Sequence, residues 1–153
     1  MKTALFGKVF EMPLFSAFSK EEFQIVFDAL DLVLAKSGDA LIKQDERGYS
    51  MYLIVEGFTR VVHRQGEERI KLLNVEEGDI IGEMAVFDDG FRSADVDAVV
   101  DCVLLKLTKP SLQKLAEAHP YIGFKLLMAI GQIMAQRIQK NNRRYINCLL
   151  DAN

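Results

Sequence analysis

Gly78-Asp79-Ile80-Ile81-Gly82-Glu83-Met84-Ala85-Val86-Phe87-Asp88-Asp89-Gly90-Phe91-Arg92-Ser93-Ala94 is the stretch on which the reading of this chain turns. It combines glycine turns, an acid, a short apolar run and an arginine followed by two small residues. An anion carried on a sugar needs that set of groups. The turn and the first residues of a short helix offer free backbone N–H groups to a phosphate. A guanidinium neutralises the phosphate with a planar fork of donors, and a carboxylate accepts from a sugar hydroxyl. The plainer reading is a surface hairpin, because Asp88-Asp89-Gly90 is a turn signal and Arg92 could be a solvated charge.

The surroundings decide between the two. From Asp31 to Thr108 short apolar runs recur, punctuated by Ser37-Gly38-Asp39, Glu46-Arg47-Gly48, Gln65-Gly66-Glu67 and Glu77-Gly78-Asp79. Eight short strands with turns between them predict an antiparallel barrel or jelly roll. Met51-Tyr52-Leu53-Ile54-Val55 is its most continuously apolar strand and is expected to be central. The β pattern breaks at Glu83–Phe87, which has the length of a single helical turn. Packing does not require such a turn inside a barrel, whereas aiming N–H groups at a ligand does. Gly82 before it lets the backbone approach closely.

Helical patterns flank the β block. Ser19 can cap a helix running to about Leu30, with Glu22 at its third position and Phe18 stapled to Phe23. Thr108-Lys109-Pro110-Ser111 opens a helix ending near His119, with the proline in its first turn. Pro120 starts a longer one, along which Leu127, Ile130, Met134, Ile138, Asn141, Tyr145 and Leu149 follow steps of three and four. Such a stripe packs on its own domain, pairs with a second copy, or does both.

With the pattern in view, Gly82, Glu83, Ala85, Arg92, Ser93 and Ala94 resemble the phosphate-binding cassette of cyclic-nucleotide-binding domains, of the catabolite activator and protein kinase A regulatory type. Met84 fills the apolar place of that pattern, and Glu83 stands nine positions before Arg92. Gly38-Asp39, Gly48 and Tyr52–Gly57 resemble the paired strands of the same domain, and Val103–Leu107 its last barrel strand. The resemblance spans about residues 10–150. It implies one domain over residues 1–153, mainly β with flanking α. Its parts are a helical segment (10–30), an eight-stranded antiparallel jelly-roll barrel (31–108) holding the cassette (78–94), and C-terminal lid or dimer helices (109–150).

The resemblance also assigns roles. Glu83 would accept from the ribose 2′-hydroxyl, and Arg92 would hold the exocyclic phosphate oxygens. N–H groups near Ala85 and Ser93 or Ala94 would complete the cradle. A threonine at the Ser93 position can support guanine, while alanine there favours adenine; serine leaves the base open, with cAMP expected over cGMP. The last helix of the family folds over the base, and Arg137, Asn141, Asn142 and Arg144 are the residues in reach. Asn141, interrupting an apolar stripe, could read the base, fix the register of a helix pair or stay solvated. The basic run Lys140–Arg144 is also what suits the C-terminal half of a helix.

Bulk properties bound the rest. The chain has 153 residues, half of them apolar and 27% charged, with a net charge of −3, which is the composition of one soluble domain. That charge gives no reason to expect nucleic-acid binding by the whole surface. Cys102 and Cys148 make no disulfide framework, the N-terminus lacks the apolar core of a signal peptide, and no apolar stretch reaches the roughly eighteen residues of a membrane span. A cytoplasmic setting is expected. His63 and His119 form no metal-ligating pair, which speaks against a cupin-like metalloenzyme, and no catalytic residue or cofactor is expected.

The chain ends at Asn153, close to the expected end of its last helix, leaving no room for a DNA-reading module. The expectation is therefore a non-enzymatic regulatory module. Its partners would be a cyclic nucleotide, an effector protein and, through the last helix, a second copy. The competing readings are a ligand-free barrel serving as a protein scaffold, and a sensor for a cyclic dinucleotide.

Overall fold

Ser19 and Glu22 form a reciprocal cap: the Ser19 hydroxyl accepts from the Glu22 N–H at 3.2 Å, and the Glu22 carboxylate accepts from the Ser19 N–H at 3.0 Å. This cap starts helix α2 (Lys20–Asp28) in the computed structural model, which describes residues 1–88 and 90–152. Asp89, in the middle of the expected Asp88-Asp89-Gly90 turn, and Asn153 lie outside the described residues. Phe18 and Phe23 are both buried, and Phe15 stands between them, its ring 5.7 Å from one and 4.7 Å from the other. Helical structure begins earlier than residue 10. A 3-10 turn at Lys2–Leu5 and helix α1 (Phe6–Phe10) precede a second 3-10 turn at Pro13–Phe15. The cause is aromatic: Phe6 packs edge-on against Phe23 and Phe27, and Phe10 packs on Phe23.

The described residues form eight strands: β1 (Asp31–Ala35), β2 (Ala40–Ile42), β3 (Ser50–Glu56), β4 (Thr59–Gln65), β5 (Glu68–Val75), β6 (Ile80–Ile81), β7 (Asp95–Ala98) and β8 (Cys102–Thr108). They build two four-stranded antiparallel sheets, ordered β1-β8-β3-β6 and β2-β7-β4-β5. Strand β3 is internal, as its apolar run predicts, and both of its faces are covered. Ile54 points between the sheets with Ile42, Val75, Ile81, Val96 and Leu104. Met51, Leu53 and Val55 point the other way, into the core shared with the helices.

Thr108 caps helix α4 (Lys109–Ala118), its hydroxyl accepting from the Ser111 N–H at 3.1 Å. Helix α5 (Pro120–Asp151) follows at once, and at 1.5 Å per residue its length is about 48 Å. Ile122, Leu126 and Ile130 are buried against the domain. The expected stripe along α5 divides. Leu127, Ile130 and Met134 pack on the domain core, while Ile138, Tyr145 and Leu149 are at least half exposed. The helix outruns the surface it covers, and residues 138–152 are exposed. No helix among the described residues is long and apolar enough to cross a membrane.

Candidate functional site

The cassette is tied to the barrel by its backbone. The Gly78 N–H donates to Ile54 O at 2.8 Å, and the Ile54 N–H donates to Asp79 O at 3.0 Å. Strand β6 then pairs with β3, and the chain turns at Gly82, whose φ of +72° lies in the left-handed region. A Cβ there would meet Arg92 Nη1 and Ile42 Cδ1 at 2.8 Å and Ser50 O at 3.1 Å. Both conformation and space therefore require glycine. The single turn α3 (Met84–Phe87) follows, with Glu83 at its head.

Two of the expected phosphate donors converge on one acceptor. The Ala85 N–H and Arg92 Nη1 both donate to Gly82 O, at 3.2 and 3.0 Å. Arg92 Nη2 donates to Ser50 O at 2.7 Å. Among the described residues no carboxylate lies within ion-pair distance of Arg92, so a half-buried guanidinium rests on carbonyls alone. Burial pulls its pKa below the ordinary arginine value, and the charges of Tyr52 and Glu83 act against that pull. A side chain at Gly48 would overlap the Arg92 guanidinium, so the missing side chain there makes the space in which Arg92 lies.

Glu83 is engaged from α5. Arg137 Nη1 donates to Glu83 Oε1 at 2.7 Å, with side-chain exposures of 27% and 14%. Arg137 Nη2 reaches Asp79 Oδ1 and Ile80 O. One guanidinium thus joins α5 to the head of the cassette and to its first strand.

A cavity of about 500 Å³ opens between these groups, a size that suits a small organic ligand. Gly82, Glu83, Met84, Ala85, Arg92, Ser93 and Ala94 all line it. So do Arg137 and Asn141 of the four residues expected over the base; Asn142 and Arg144 are exposed on α5 and do not line it. Its apolar wall comes from Val61, Leu73, Val75 and Val96, residues that the motif reading did not pick out. Their signal was present, since Val61 and Val96 are cross-strand partners on inward-facing positions of β4 and β7.

Asp95 was also missed, and it braces the end of the cassette. Its carboxylate accepts from the Gln44 N–H at 2.8 Å and from Arg64 Nε at 2.9 Å. Burial alone would raise its pKa, but those hydrogen bonds and the charges of Arg64 and Arg69 outweigh it and hold the group below the ordinary aspartate value. His63 Nδ1–H donates to Ser93 O at 3.2 Å, so it too supports the cassette backbone. Among the described residues, no group of three or more His, Cys, Asp or Glu side chains could hold a metal ion.

The profile described as "Cyclic nucleotide-binding domain" matches residues 32–119. A cyclic AMP receptor protein from Thermus thermophilus is 29% identical over 130 residues, covering 84% of this chain and 58% of that protein. A cAMP-dependent protein kinase regulatory subunit from Hypocrea atroviridis is 32% identical over 105 residues, 69% of this chain and 22% of that protein. A solved cyclic nucleotide-binding domain from Methylobacillus flagellatus superposes with a TM-score of 0.84 at 24% identity, covering 95% of this chain and 83% of that one. The chain thus spans little more than half of one curated relative and about a fifth of the other.

Proposed function

This chain belongs to the cyclic nucleotide-binding domain family, and from that membership we propose that it is a non-catalytic sensor of a cyclic nucleotide, cAMP in preference to cGMP, acting through its C-terminal helix. The observation that carries the reading is Arg92, a half-buried cation without a carboxylate partner among the described residues, on the wall of a ligand-sized cavity. A buried charge is costly until it is paired, and a cyclic phosphate supplies the partner.

In this reading the phosphate takes the place that Gly82 O fills, drawing on Arg92 and the Ala85 N–H. The ribose hydroxyl donates to Glu83, the carboxylate that Arg137 also holds. Arrival of the sugar alters the Arg137–Glu83 contact, so ligand and α5 position are linked. A ligand that binds better to one position of α5 shifts the population toward it. Asn141, on the cavity wall beside Arg137, is the side chain that would meet the base edge, and Ser93 contributes its hydroxyl to base or phosphate.

The exposed face of α5 is the output. Tyr121, Phe124, Met128, Gly131, Ala135, Ile138, Asn142, Tyr145 and Leu149 recur at alternating steps of three and four. Tyr121, Phe124 and Met128 are more than half exposed, as are Ile138 and Tyr145. This is the spacing of a coiled-coil seam, rotated from the Leu127–Met134 stripe that packs on the domain. A second copy of the chain would cover it, with Asn142 as the polar position that sets register. An effector protein reads the result, in a cytoplasmic setting that suits the unpaired thiols of Cys102 and Cys148.

Thermal denaturation with cAMP, cGMP and cyclic dinucleotides tests the reading. Ligand at a hundred times its Kd stabilises the fold by about 2.7 kcal/mol, and cAMP is expected to give the largest shift. The alternative reading, a ligand-free scaffold, draws on the fact that Glu83 already has a partner in Arg137. It requires that none of the three ligand classes moves the transition.

A further inference from the structure

A second, more open cavity adjoins the first at Arg92. It has a volume of about 290 Å³ and opens between the β2–β3 connection and the ends of β3 and β8. Among the described residues Ile42 and Arg92 line both this chamber and the cassette cavity, and the guanidinium donates to a lining residue of each, Gly82 and Ser50. Lys106 reaches the chamber because it stands two residues from Leu104, which packs between the sheets, and strand alternation gives both the same inward face. Tyr52, its cross-strand partner on β3, packs on that interior as well.

The charge of the lining is lopsided. Lys43, Arg47, Arg92 and Lys106 face one carboxylate, Glu46. None of the four cations makes an ion pair within 4 Å among the described residues; Arg47 lies over the Phe91 ring at 5.3 Å. Asp31, opposite Lys106 on β1, does not line the chamber and is not within ion-pair distance of it. Lys106 and Arg92 are both partly buried, so their charges are incompletely solvated and gain most from an anion. Arg92 already leans into the chamber, since Nη2 donates to Ser50 O, a lining residue.

We propose that this chamber is a second site, for a small multiply charged oxyanion such as a phosphate or pyrophosphate group, and that its occupant competes with the cyclic nucleotide for Arg92. The guanidinium has one fork of donors and two cavities to serve. An anion held by Lys106 and Lys43 draws the fork toward Ser50 and away from the cassette. The competition rests on the sensor reading above; the anion site itself does not.

The test uses the full chain at constant ionic strength, with sodium pyrophosphate, sodium phosphate and chloride as probes. Calorimetry is expected to show saturable pyrophosphate binding that chloride does not reproduce, weakened about tenfold or more in Lys43→Gln/Lys106→Met. With saturating pyrophosphate the apparent Kd for cAMP should rise at least threefold in the natural chain and be unchanged in the double variant. Without pyrophosphate the double variant should bind cAMP within twofold of the natural chain, which also reports that it folds. Absence of pyrophosphate binding, or binding that persists unchanged in the double variant, overturns the site. Pyrophosphate binding that leaves the cAMP affinity untouched overturns the competition. A chain that binds pyrophosphate through Lys43 and Lys106 but binds no cyclic nucleotide keeps the site and rejects the sensor reading.

Discussion

Arg137 on the last helix and Glu83 at the head of the cassette are 54 positions apart in sequence, and their guanidinium and carboxylate meet at 2.7 Å. The same guanidinium also holds Asp79 and Ile80 O. The contact links the element expected to move to the residue expected to touch the sugar. A partly buried pair of this kind gains from low dielectric and pays in desolvation, so its worth lies in coupling rather than in net stability.

A double-mutant cycle measures that coupling. Arg137→Ala and Glu83→Gln should each destabilise the ligand-free chain by about 1–2 kcal/mol, and the double variant by about 1 kcal/mol less than their sum. Denaturant unfolding of the four proteins gives the numbers. Strict additivity would mean that the two side chains do not act on one another.

Gly82→Ala should be costly for two separate reasons. The left-handed φ of +72° costs an alanine about 1 kcal/mol. In addition, the new methyl meets Ser50 O, a backbone atom that cannot swing aside, along with Arg92 and Ile42. The expected loss is about 2–3 kcal/mol in unfolding free energy, with cyclic-nucleotide affinity down by at least about tenfold because Arg92 is displaced. A variant with unchanged melting temperature and affinity would contradict the described turn.

Asp95 gives a pH signature. Its pKa is lowered in the folded chain, so its contribution is complete above the unfolded value of about 3.9 and is lost as pH falls through the lower folded value. Asp95→Asn should be less stable than the natural chain at pH 7 by about 1–3 kcal/mol. The difference should shrink as pH falls below about 4. Urea unfolding as a function of pH checks it, and parallel curves at every pH would remove Asp95 from the account.

The exposed seam on α5 predicts association. Sedimentation of the natural chain should show a dimer, and Ile138→Glu should convert it to a monomer with the domain still folded. Ile138 is 58% exposed and is not a member of the buried core. A monomeric natural chain at concentrations of tens of micromolar would count against the seam.

The barrel and the cassette were legible in the sequence because each rests on local chemistry. Glycines, turn residues and alternating apolar runs mark strands one by one, and the Gly82–Ala94 pattern puts donors and an acid within a dozen residues. The helical start at Lys2 was not legible, because Phe6 and Phe10 are held by rings from α2 rather than by any cap. The Leu127–Leu149 stripe was visible as a period but not as two faces; which face the domain takes depends on where α5 lands. Asp95 and Gly48 acquire roles through distant partners, among them Arg64 and Arg92, 31 and 44 positions away. That Arg92 lines two cavities is likewise a fact of tertiary structure alone.

The central claim is that Arg92 holds the phosphate of a cyclic nucleotide. Isothermal titration of cAMP into the natural chain and into Arg92→Ala tests it most directly. The account predicts one saturable site per chain, with affinity at least about tenfold weaker once the charge-assisted hydrogen bonds of roughly 1.5–3 kcal/mol are gone. No binding of cAMP or cGMP to the natural chain, or equal affinity in the two proteins, would contradict it.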